Sequence, residues 1–128
     1  MKSPTRLQGK HVLVVDDDPD VRELILLAME SEGARTTIGE DGNQAITALR
    51  SEVPDLMVLD MMLPHRSGFL VLEEISQLED PPPVIMVTAN EGKRHKAYAE
   101  SLGVSAYLNK PVPMARLLDT AVDLLSRD

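Results

Sequence analysis

Short apolar runs that end in polar groups alternate along this chain with stretches whose apolar residues recur every three or four positions. Residues 12–15 run into Asp16 and Asp17, 56–59 into Asp60, 84–87 into Thr88, and 104–108 into Asn109 and Lys110. Runs of this length, bounded by turn residues, read as strands buried on both faces. Residues 34–38 predict a further strand. Thr36 and Thr37 make it less apolar and suit it to a place near the sheet edge.

The intervening stretches carry helical spacing. Asp18 and Pro19 supply a capping carboxylate and a proline at the first helical position. Val21, Leu24, Ile25 and Ala28 then form an apolar face, and Gly33 ends the helix. Ala45, Ile46, Leu49 and Val53 mark a second helix, closed by Pro54. Phe69, Leu72, Ile75 and Leu78 mark a third, before Pro81, Pro82 and Pro83 forbid continuation. Residues 91–102 predict a fourth with a thin apolar face of Ala97, Tyr98 and Leu102. Leu117, Leu118, Ala121, Val122 and Leu125 build the last. Alternating strand and helix predicts an α/β fold, with a parallel sheet covered on both faces by right-handed crossovers.

The 128 residues suit one domain: a polar, flexible lead-in over 1–10 and a single folded unit over 11–128. With hydrophobic content at 43% and aromatic content at 2%, the core must be mainly aliphatic, and the composition argues against a nucleic-acid surface built on aromatic stacking. A formal net charge of −8 argues against direct nucleic-acid binding. The absence of cysteine excludes disulfides and thiol chemistry and suits the cytoplasm. No apolar run reaches membrane-spanning length, so no membrane partner is expected.

In a parallel sheet, the loops leaving the strands gather at one edge, where ligands bind at the reversal of strand order. That edge would collect Asp16, Asp17, Asp60, Thr88 and Lys110. Clustered carboxylates repel without a cation, and hard oxygen donors suit magnesium, with manganese as a substitute. Asp60 could then attack phosphorus and become an aspartyl phosphate. Lys110 supplies positive charge and Thr88 a hydroxyl donor for the phosphoryl oxygens. Each residue alone also has a plainer reading: helix cap, strand-end hydroxyl or surface lysine. A calcium loop starting at Asp16 is rejected, because Val21 and Leu27 stand where it needs glycine and glutamate.

With VLVVDDD at 12–18, LMVLDMMLPHRSG at 56–68, VTA at 87–89 and YLNKP at 107–111, the chain resembles a response-regulator receiver domain of bacterial two-component signalling. The resemblance spans residues 11–128. It implies a doubly wound, flavodoxin-like sheet of order 2-1-3-4-5. It implies Asp60 as phosphoacceptor, Asp17 as principal acidic metal ligand, Asp16 as a second, and the Met62 carbonyl as another. It makes Thr88 and Tyr107 the switch pair, Lys110 the phosphoryl partner, and Met62 and Asn90 the positions that tune phosphoaspartate lifetime. Neither supplies an acid or base, so fast self-hydrolysis is not expected.

The implied donor is a sensor histidine kinase or histidine phosphotransfer protein. The implied readout is a downstream protein or output domain, or a phosphorylation-dependent dimer, acting through the face of helix four, strand five and helix five. One departure is visible: Ser67 stands before Gly68 where the family often has an acid, and can cap the next helix. The alternatives are a receiver-like interaction module that is never phosphorylated, and a dehalogenase-type phosphatase using Asp16 and Asp18. The latter would leave Asp60 unexplained.

Overall fold

The computed structural model describes residues 5–89 and 93–126. Its elements run β1 His11–Val15, α1 Pro19–Ser31, β2 Arg35–Gly39, α2 Gly42–Ser51, β3 Leu56–Asp60, α3 Gly68–Ser76, β4 Val84–Thr88, α4 Lys93–Ser101, β5 Ala106–Asn109 and α5 Met114–Leu125. The sheet has five parallel strands in the order β2-β1-β3-β4-β5. This is the doubly wound architecture expected, with β2 at one edge and only partly buried.

Strand residues alternate between two cores because successive side chains leave opposite faces of the sheet. Leu13, Val15, Met57, Leu59, Val84 and Met86 pack with α2, α3 and Ala99 of α4. Val12, Val14, Leu56, Val58, Ile85, Val87 and Leu108 pack with Ile25 and Met29 of α1 and Leu117 and Ala121 of α5. Both faces being covered explains why β1, β3 and β4 read as unbroken apolar runs.

Local signals act where the sequence places them. Asp18 caps α1, its Oδ1 accepting from the Asp20 and Val21 amides at 2.9 and 3.4 Å. Ser67 caps α3 through the Leu70 amide at 3.3 Å. The Lys110-Pro111 peptide is cis.

Several expectations are corrected. Leu24 is not core: it is 55% exposed, and Met29 takes the buried position instead. The inward residue of α4 is Ala99, whereas Ala97 is exposed and Tyr98 is 44% exposed. Residues 5–10, just before β1, are polar in composition yet tied to the fold. Leu7 is fully buried, its amide donates to the Glu32 carbonyl at 2.8 Å, and Gln8 sits against Gly33, whose φ of 92° only glycine adopts freely. An isolated apolar side chain in a polar stretch has no periodicity to reveal it.

Candidate functional site

The sheet order brings the exits of β1 and β3 together, with Val15 beside Leu59, and sets β4 and β5 on the other side of β3. Asp16, Asp60 and Thr88 are 2%, 4% and 0% exposed, in an otherwise aliphatic interior. Asp17 is exposed beside them. Asp16, Asp17 and Asp60 each bring a carboxylate oxygen within 4.8 Å of the others, an acidic cluster compatible with a divalent cation.

Lys110 enters from the loop after β5. Its Nζ lies 2.9 Å from Asp16 Oδ2 and 3.4 Å from Asp60 Oδ2. The lysine was expected to face Asp60; its shorter contact is with Asp16, so it bridges two strand ends. The other Asp16 oxygen accepts from the Asp18 amide at 2.9 Å, and Asp60 Oδ1 accepts from the Met62 amide at 3.2 Å. The Met62 side chain is 62% exposed, leaving only its backbone at the site.

Burial and the neighbouring Asp16 charge push the Asp60 carboxyl up to about 6, although Lys110 and the Met62 amide pull the other way. Burial works against the Lys110 charge, but its contacts with Asp16 and Asp60 outweigh that and raise its pKa. A buried carboxylate with a raised pKa, flanked by a lysine and two further carboxylates, is a candidate nucleophile whose charge the lysine offsets.

Thr88 shares the sheet parity of Val84 and Met86, and Tyr107 packs against the same core. The register pairs Thr88 with Asn109 and Met86 with Tyr107, so the two expected switch residues lie on adjacent strands. Tyr107 is partly buried, which raises its phenol pKa. Asn90 lies outside the described residues.

Sequence reasoning missed two supports. His65, in the left-handed region at φ 68°, places Nδ1 2.8 Å from Asp41 Oδ2, joining the loop after Asp60 to the cap of α2. Arg22 reaches back from α1 to the Asp16 carbonyl at 2.9 Å. The visible signal was an arginine one helical turn beyond the Asp18 cap. Gly68 also has a specific reason: a Cβ there would lie 2.4 Å from the Asp60 carbonyl oxygen.

A doubly wound parallel sheet whose carboxyl edge holds a buried, lysine-paired aspartate within an acidic cluster defines a phosphoacceptor protein of the receiver class. Residues 12–122 match the response regulator receiver domain, and the chain belongs to that family. It is 35% identical over 109 residues to an uncharacterized 14.6 kDa protein of Leptolyngbya boryana, covering 84% of this chain and 83% of that one. It is 32% identical over 117 residues to the response regulator SaeR of Staphylococcus aureus, covering 91% of this chain and 51% of that protein. The chain thus spans about half the length of that relative. Among solved structures, the CheY-like receiver domain protein from Methanospirillum hungatei superimposes with a TM-score of 0.87 at 28% identity, covering 91% of this chain and 93% of that one. The chemistry that this cluster carries is receiver self-phosphorylation from a donor and autodephosphorylation, with a changed interaction face as the result. Among the described residues, no helix is long and apolar enough to cross a membrane.

Proposed function

We propose that Asp60 accepts a phosphoryl group from a phosphohistidine on a sensor histidine kinase or histidine phosphotransfer protein in the cytoplasm. One Asp60 oxygen forms the new P–O bond as the donor P–N bond breaks, and the imidazole leaves as the neutral base after taking a proton from solvent. The observation that carries this reading is the buried Asp60 carboxylate, 3.4 Å from Lys110 and within the acidic cluster.

Asp17 is the exposed carboxylate of the cluster and the principal ligand for Mg2+ (or Mn2+). Asp60 joins it through oxygens held only by the longer contacts of 3.2 Å from the Met62 amide and 3.4 Å from Lys110, whereas both Asp16 oxygens accept at 2.9 Å from Lys110 and the Asp18 amide. Asp16 then organises the cluster while contributing charge, and the Met62 carbonyl completes the oxygen set. The bound cation would neutralise clustered carboxylates and attract phosphoryl oxygens. Lys110 would leave part of its Asp16 contact to meet the phosphoryl group, and Thr88 would donate its hydroxyl to it.

Thr88 and Tyr107 flank the α4 side of the sheet. A pull on Thr88 toward Asp60 is therefore read out at the face of α4, β5 and α5, where a downstream protein, an output domain or a second copy would bind. The donor would approach over the α1 side. There Leu24, Val21, Pro111, Val112 and Met114 line an apolar groove that also touches Lys110. Met62 supplies no acid or base to activate water, so the phosphoaspartate is expected to outlast seconds, and a decay time course checks this.

Intact-mass measurement with Mg2+ and a small phosphodonor tests the reading. One added phosphoryl group that disappears in Asp60→Ala is expected. No adduct, even with candidate kinases, would leave a receiver-like interaction module that is not phosphorylated.

A further inference from the structure

Asp17 stands at the centre of the proposed cation site, yet it is exposed and lies beyond the last residue of β1. Sheet pairing ends at Val15, so the ladder does not set the direction of the Asp17 side chain. The Asp16–Asp17 peptide unit sets it, and the carbonyl of that unit belongs to Asp16.

Arg22 holds this carbonyl. Its Nη1 donates to the Asp16 oxygen at 2.9 Å. Its Nη2 lies 3.8 Å from Glu40 Oε1 in the turn after β2, and its side chain is only 13% exposed. The Asp16 amide meanwhile donates to the Gly39 carbonyl at 3.2 Å. Both backbone groups of Asp16 are thereby held by groups outside its own loop. The rigid start of α1, capped by Asp18, fixes where the guanidinium sits. A fork-shaped donor can serve the carbonyl and the glutamate together, which a point-like ammonium cannot.

We infer that Arg22 is a positioning residue for the cation site, fixing the Asp16–Asp17 peptide plane so that Asp17 faces Asp60. The inference rests on the metal-dependent phosphoacceptor reading above. It makes a prediction opposite in sign to simple electrostatics. A positive guanidinium beside an acidic cluster disfavours a divalent cation, so loss of its charge alone would tighten Mg2+ binding. Loss of a positioning contact would weaken it, by about tenfold for an outer support of a metal ligand.

The test uses the full chain as wild type, Arg22→Met and Arg22→Lys. Methionine keeps most of the packed stem, and lysine keeps the charge without the fork. Mg2+ is titrated against the amide shifts of Asp17 and Met62 in unphosphorylated protein, and phosphorylation rate is followed against Mg2+ concentration. Both variants should need about tenfold more Mg2+ for half-maximal shift, with the phosphorylation rate largely recovered at saturating Mg2+. If Arg22→Met fails to fold, Arg22→Lys decides. Either variant binding Mg2+ as tightly as wild type, or more tightly, overturns the role of Arg22 while leaving the cation site intact. No Mg2+-dependent shift in the wild type overturns the cation site and this inference with it.

Discussion

Asp60→Asn should stabilise the metal-free protein. The wild-type carboxyl is 4% exposed, lies beside Asp16, and has its pKa pushed from 3.8 to about 6. Each pH unit of displacement corresponds to about 1.4 kcal/mol. The charged form therefore costs the folded state roughly 3 kcal/mol relative to the neutral acid at pH 7.5.

The sign follows from proton binding. A carboxyl whose folded pKa is raised favours the folded state fully below its unfolded pKa near 4, and loses that advantage as pH rises through about 6. Asparagine resembles the neutral acid at every pH. The stability difference between Asp60→Asn and wild type should thus approach about 2–3 kcal/mol at pH 7.5 in EDTA and shrink toward zero near pH 4. Added Mg2+ should narrow the gap at pH 7.5 by stabilising wild type, by roughly 1.4 kcal/mol at ten times its Kd. Urea unfolding followed by circular dichroism measures each quantity. An Asp60→Asn protein no more stable than wild type at pH 7.5 in EDTA, or a difference that does not fall with pH, would refute the account of a nucleophile held at an electrostatic cost.

Other contacts make separate predictions. Lys110→Met removes the cation 2.9 Å from Asp16 and 3.4 Å from Asp60; its phosphorylation rate should fall by about 10²-fold, and the Asp60 carboxyl, followed by 13C NMR, should titrate above pH 6. Gly68→Ala places a methyl group 2.4 Å from the Asp60 carbonyl; thermal melting should show a loss of about 1–3 kcal/mol, with labelling of Asp60 impaired as well. Tyr98→Phe deletes the 2.5 Å hydrogen bond from the Tyr98 hydroxyl to Glu73, while the ring contacts of Phe69 with Tyr98 and His95 still join α4 to α3. Hydrogen exchange in α4 should quicken several-fold while β1 and β3 remain unchanged, because a solvent-exposed bond of this kind contributes about 1 kcal/mol.

The strands, the helices and the identities of Asp16, Asp17, Asp60, Thr88 and Lys110 were legible from residue order. Periodicity and caps act over a turn or less, and Asp18, Ser67 and Pro19 needed no distant partner to declare themselves. Strand order was not legible in that way, because apolar runs buried on both faces do not say which neighbour they pair with; it came from family resemblance. The thin face of α4 misled for a related reason: three apolar residues cannot define a stripe, and Ala99 won the inward position over Tyr98.

Tertiary structure alone decided which groups meet. Lys110 is 94 residues from Asp16 in the chain, yet its shorter contact is with Asp16 rather than Asp60. Leu24 has the spacing of a core residue but faces the groove beside Lys110. Arg22 looks like any exposed arginine of an amphipathic helix until the end of β1 comes within its reach. Local sequence sets the conformation of a segment through the few bonds nearby. Contact between segments depends on register, on helix rotation and on which faces the whole chain can bury at once.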